Sequence, residues 1–179
     1  RILPTVLVLA LTSVSLAGAQ APQGTGERAL ARSLFHQGLE CLDAGAMGLS
    51  TGLHYAPASY ARTEEIIDLA QVAAARGKLY SPHMRAEGSR SVGIFSALNE
   101  AIEIGRRSGV PVHITHVSQR HNYPGGSSEM LRVIEDAHEA GQDVTFDSYP
   151  YIYGSTRVLI MFPDWAHDGG PERLEEVLR

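Results

Sequence analysis

The chain has 179 residues, 44% of them hydrophobic and 20% charged, with a formal net charge of −5. This is ordinary for a globular domain with one sizeable core, and no basic face is visible, which excludes a nucleic-acid or anionic-membrane partner. Cys41 is the single cysteine, so no internal disulfide forms, and Lys78 is the single lysine.

Residues 2–17 are uncharged, follow Arg1 and lead through Gly18 to Ala19-Gln20-Ala21. Two readings fit. One is a secretory signal with a small-residue cleavage site, which goes with an exported protein. The other is a buried strand at 5–11 followed by a small-residue loop, which goes with a cytoplasmic one. Pro4, the Ser/Thr residues and Gly18 leave the run short for a membrane span. The chain starts without methionine and is expected to begin inside a longer gene product. Residues 1–25 are therefore set apart from 26–179.

From residue 26 the pattern alternates. A helix-period stretch at 27–44 places Leu30, Leu34, Leu39 and Leu42 on one apolar stripe, with Cys41 as a small core residue. A short apolar run at 46–49 ends at Ser50-Thr51-Gly52. Thr63-Glu64-Glu65-Ile66 announces a helix, with Thr63 as N-cap and Ile66, Leu69, Ala70 and Ala73 buried. A strand at 79–83 follows, then a helix at 91–107 stopped by Gly109. Next come a strand at 110–116, a helix opened by Gly125-Gly126-Ser127-Ser128 and stopped by Gly141, and a strand at 143–149. This alternation, with a period near 30 residues, predicts about four βα units on a parallel sheet.

Period-two alternation sorts the strand faces. It groups His116 with Val112 and Ile114, and turns His113 the other way, toward the flanking helices. Val144 and Phe146 are likewise expected to face the helices, leaving Thr145, Asp147 and Tyr149 for the interior. The polar, glycine-rich loop at 118–127 is long for a βα connection and is expected to shape a pocket.

Two of these strands end on histidine, His83 and His116, separated by about 33 residues, roughly one βα repeat. In a parallel barrel that spacing brings two imidazoles together at the carboxyl ends of adjacent strands, where such folds keep their chemistry. Neutral imidazole suits zinc. The pair therefore points to a metallohydrolase rather than a binding module.

Several segments then stand in a telling order. They are Gly45-Ala46-Met47-Gly48-Leu49-Ser50-Thr51-Gly52-Leu53, His83-Met84-Arg85-Ala86-Glu87-Gly88, and Ala101-Ile102-Glu103-Ile104-Gly105 leading to Ile114-Thr115-His116. Asp147-Ser148-Tyr149-Pro150-Tyr151 through Gly154-Ser155-Thr156, and Pro163-Asp164-Trp165-Ala166-His167-Asp168-Gly169-Gly170, complete the set. With these motifs the chain resembles the N-acyl-D-amino-acid deacylases (D-aminoacylases) of the amidohydrolase superfamily.

The resemblance implies an α/β fold, a partial (β/α)8 TIM-type barrel over 26–179. It implies zinc-dependent hydrolysis, with one or two Zn2+ ions, of a small N-acyl-D-amino acid to a carboxylate and a D-amino acid. It implies no nucleic-acid partner and no stable membrane association. His83 and His116 are the implied metal ligands, and Tyr149 and Ser155 the implied substrate-binding residues. The general-base aspartate is expected beyond Arg179, no catalytic residue is assigned within the chain, and the isolated chain is expected to be inactive. Asp147 is read as structural. The chain departs from the family in lacking its His-x-His pair and in carrying Ser118 where a lysine is usual, with Arg120 or His121 as substitutes. Lys78 precedes its strand, at the wrong end for a metal-bridging carboxylated lysine. The alternatives are a non-catalytic barrel fragment and a cyclic-amidase relative of the dihydroorotase or hydantoinase kind.

Overall fold

The structure, a computed structural model, describes residues 36–55, 58–87, 92–118, 126–156, 162, 166 and 170–179. The segment read as strand or signal, the start of the helix at 27–44, Arg120 and His121 lie outside these residues. Four strands form one sheet: β1 (Gly48–Gly52), β2 (Leu79–His83), β3 (Val112–Ile114) and β4 (Val144–Phe146). Their spatial order is their sequence order, and every pairing is parallel. Parallel neighbours need a crossover. Helices supply it: α2 (Thr63–Ala74), α3 (Ile94–Ser108) and α4 (Gly126–Glu139). Helical residues 36–43 (α1) precede β1, and α5 (Gly170–Leu178) closes the chain. The expected α/β alternation is present.

One face of the sheet is apolar and covered. Leu49, Tyr80, Val112, Ile114 and Val144 are buried in a core with Ile66, Ala70 and Ala73 of α2, Leu98, Ala101 and Ile104 of α3, and Met130 and Ile134 of α4. Thr51 is the buried polar residue of this face, and its hydroxyl pairs with the Tyr80 hydroxyl at 2.7 Å. The other face carries Ser50, Ser81, His83, His113 and Thr145, all at least partly exposed. Glycine sets the close approaches. A Cβ on Gly105 would stand 2.5 Å from Val112 Cγ2, so α3 seats on β3 only because none is there. A Cβ on Gly48 would stand 2.2 Å from the Leu79 carbonyl oxygen.

The structure corrects three expectations. β3 spans Val112–Ile114 rather than 110–116, and β4 is shorter than 143–149. Val112 and Ile114 face the helices, so His113 faces away from them, opposite to its expected direction. Register explains this, because Val112 pairs with Tyr80 and Val144, whose side chains lie in the same core. Thr63 does not cap α2. Arg62 occupies that position without a side-chain cap bond, and the Thr63 hydroxyl donates to Glu100 Oε1 at 2.7 Å. Phe146 shares the face of Val144 yet remains 40% exposed. Cys41 is half-buried.

The chain divides into two compact units, one ending at Tyr149 and the other spanning Pro150–Arg179. Among the described residues no helix is long and apolar enough to cross a membrane.

Candidate metal centre

His83 closes β2 on the face turned from the helices, and its side chain keeps 20% of its exposure. His116 reaches the same place by another route. β3 stops at Ile114, and His116 sits in the following turn with φ 42°, the described non-glycine residue in the left-handed region. That conformation costs a residue with a Cβ about 1 kcal/mol or more. It breaks the strand alternation and brings the ring back over the end of β2. His83 Nδ1 and His116 Nε2 stand 2.7 Å apart, with ring centroids at 4.4 Å.

Glu87, on the chain leaving β2, completes the group. Its Oε1 lies 2.9 Å from His116 Nδ1 and 3.4 Å from His83 Nε2. The carboxylate holds the His116 imidazole pKa above its ordinary value, through that hydrogen bond first, and partial burial opposes the rise. One ligand atom from each of the three residues lies within 4.8 Å of the others.

The donor set suits a borderline cation: two imidazole nitrogens and one carboxylate oxygen. Glu87 Oε1 stands 2.9 Å from His116 Nδ1 and 3.4 Å from His83 Nε2, close to the about 3.3 Å that separates two donors held tetrahedrally at about 2.0–2.1 Å from zinc.

Asp147 ties the end of β4 to this turn. Its Oδ1 accepts the His116 backbone N–H at 2.6 Å, and its Oδ2 lies 3.0 Å from His113 Nε2. His113 Nδ1 in turn pairs with Thr145 Oγ1 at 2.8 Å. Thr145 and Asp147 thus share the non-helical face with His113. Tyr149 is half-buried, its hydroxyl 3.1 Å from Ser118 Oγ, two residues past His116. Ser155 is exposed and belongs to the second unit.

Sequence reasoning left three neighbours unassigned. Glu87 was visible only as part of the His83 motif. The other two are His54 and Tyr55, whose rings lie 5.5 and 5.0 Å from the His83 ring. They follow β1 as His116 follows β3, and that common position after a parallel strand was the available signal. Arg85 proves structural. It forks onto both carboxylate oxygens of Glu100 at 2.9 and 2.8 Å and donates to the carbonyls of Ser59 and Ala61. Its own carbonyl lies 3.0 Å from His54 Nδ1.

Known proteins share this stretch of chain. Over 119 residues it is 47% identical to a D-aminoacylase of Alcaligenes xylosoxydans xylosoxydans, covering 65% of this chain and 24% of that protein. Over 158 residues it is 37% identical to an N-acyl-D-glutamate deacylase of the same organism, covering 87% of this chain and 28% of that one. A crystal structure of the N-acyl-D-glutamate deacylase from Bordetella bronchiseptica contains zinc and a phosphonate mimic of the tetrahedral intermediate. It matches with a TM-score of 0.63 at 34% identity, over 76% of this chain and 28% of that one. Over this part of its length, the chain is similar to N-acyl-D-amino-acid deacylases. It spans about a quarter of the length of the curated relatives it matches. No protein-family model matches. The His83, Glu87 and His116 cluster lies within the stretch that these proteins share, at the carboxyl ends of β2 and β3.

Proposed function

We propose that this chain supplies one wall and part of the metal site of a (β/α)8 amidohydrolase that hydrolyses N-acyl-D-amino acids. One observation carries the reading. Two imidazoles and a carboxylate from consecutive βα units converge at the carboxyl end of a parallel sheet. The helix-covered face is then the outside of the barrel. The half-buried polar face with Ser81, His83 and His113 is its interior.

His83 and His116 each offer a ring nitrogen to zinc, and Glu87 offers a carboxylate oxygen. A His2Glu set is one that hydrolytic zinc sites use, and three protein ligands leave a position for water. Zinc held there supplies Lewis-acid polarisation of the amide carbonyl and a more acidic water. In the metal-free chain Glu87 holds His116 through Nδ1, and its charge would offset that of a bound cation. Tyr149, tied to Ser118 near the His116 turn, is assigned to holding the substrate by its hydroxyl group. The reaction consumes one water and releases a carboxylate and a free D-amino acid.

The test is zinc content and N-acetyl-D-amino-acid hydrolysis, measured on the gene product that contains this chain. Bound zinc and preference for D over L substrates are expected, with both zinc and activity lost in His83→Ala and His116→Ala. Undiminished hydrolysis after exhaustive chelation would overturn the reading.

A further inference from the structure

We infer that Asp147 is a positioning residue that sets the His116 imidazole through the backbone of the turn after β3. The inference rests on the metal-site reading above and deepens it.

Asp147 grips this turn three times. Its backbone N–H donates to the Ile114 carbonyl at 3.1 Å, before the turn. Its carbonyl accepts the Val117 N–H at 2.8 Å, after the turn. Its carboxylate accepts the His116 N–H between them at 2.6 Å. The two backbone bonds are available to any residue. The third needs a short acidic side chain, and it falls on the residue whose φ of 42° departs from what a Cβ favours. An outlier of this kind persists only where its surroundings over-determine it.

Fold stability does not account for the arrangement. The Asp147 and His113 side chains are 52% and 37% exposed, and an ion pair that open adds little to stability. Yet His113 holds the second carboxylate oxygen, at 3.0 Å, and is itself held by Thr145 at 2.8 Å, so Oδ1 is steered onto the His116 N–H. The order is Thr145, His113, Asp147, His116: a chain of contacts running along the non-helical face into the ring that meets His83. Asp147 touches neither His83 nor Glu87 through any of these bonds. The bond that reaches the cluster falls on His116.

The experiment measures zinc affinity, by competition with a chromophoric chelator, for the metal-free gene product that contains this chain. It compares wild type with Asp147→Ala, Asp147→Asn and His83→Ala, each at a temperature where circular dichroism shows the fold intact. Asp147→Ala is expected to weaken zinc binding at least about tenfold, the loss typical of partners that orient a metal-binding histidine. Asp147→Asn, which keeps an oxygen to accept the His116 N–H, is expected to restore affinity to within about threefold of wild type. A residue that only supports the fold would lower the melting temperature in both variants and leave zinc affinity unchanged. Where Asp147→Ala does not fold, Asp147→Glu replaces it: the charge stays, one methylene displaces the oxygen, and the same tenfold loss is expected.

Wild-type affinity in Asp147→Ala, or in Asp147→Glu where that stands in, overturns the inference, provided His83→Ala loses zinc. Equal affinity in wild type and His83→Ala overturns the metal-site reading, and the inference with it.

Discussion

The Glu87 carboxylate stands 2.9 Å from His116 Nδ1, and that contact raises the imidazole pKa above 6.5. In the metal-free chain the protonated ring is thus favoured by folding. Its contribution to stability is full below the unfolded value and is lost as pH rises through the folded one. Zinc requires the neutral ring, so apparent zinc affinity should climb as pH rises through the same folded value. Glu87→Gln removes the cause. The midpoint of the affinity profile is expected to move down toward the ordinary imidazole value, and the affinity plateau to fall as well, because a carboxylate ligand becomes a neutral amide. Zinc titrations of both proteins across a pH series check this; an unmoved midpoint excludes Glu87 as the cause.

Arg85→Lys should destabilise the fold by about 2–3 kcal/mol. The pair it makes with Glu100 leaves the two side chains 14% and 13% exposed. An ammonium cannot fork onto both carboxylate oxygens and also reach the Ser59 and Ala61 carbonyls. Urea unfolding measures the change, and a loss within experimental error would show that the clamp is not needed.

Tyr80 should stay protonated in alkaline solution for as long as the chain is folded. Burial drives its phenol pKa well up, against a smaller opposing effect of the Thr51 hydrogen bond. The stability tied to this group is full below the unfolded value of about 10 and is lost as pH rises above it. Ultraviolet titration should show one tyrosine ionising together with unfolding, a step missing in Tyr80→Phe. That variant also leaves the buried Thr51 hydroxyl without its phenol partner, at about 1–2 kcal/mol.

The two close-approach glycines should differ in severity. Gly48→Ala drives a methyl against backbone, the Leu79 carbonyl oxygen at 2.2 Å, so the β1–β2 pairing itself must open; about 3 kcal/mol is expected. Gly105→Ala meets the tip of a side chain, Val112 Cγ2 at 2.5 Å. The strain there is offset by about 1 kcal/mol of helix propensity, so the net loss should be about 1–2 kcal/mol. Thermal melts rank them, and the reverse order would contradict the packing described for β1.

β2 was legible to the residue, because 79–83 lies between Gly77 at the end of one helical pattern and the next, and ends on the histidine that the spacing argument singled out. α3 was legible to within a few residues, since Gly109 at φ 73° terminates it as a left-handed cap. The His116 turn was not. Strand periodicity has no term for a residue that leaves the ladder and reverses φ, so alternation grouped His116 with Val112 and Ile114, and it turned His113 toward the helices, opposite to its observed direction. Thr63 misled for a related reason. Its spacing fits a cap, but Glu100, far along the chain, takes the hydroxyl. Glu87 stayed hidden because its partners are fixed by where the chain goes after β2, which local pattern does not encode. The His83 and His116 pair was visible because strand ends in a parallel sheet are addressed by repeat length.

The sheet order has a kinetic consequence. Each strand pairs with the next one in the chain, so β2 and β3 meet by closing a segment about as long as α3 and its two connections. Loop-closure entropy grows only logarithmically with such a length, but a parallel pairing must meet that cost before its contacts repay it, which makes it a slow step. Bringing the two imidazoles together therefore waits on the β2–β3 pairing, with no more distant part of the chain required to deliver either one.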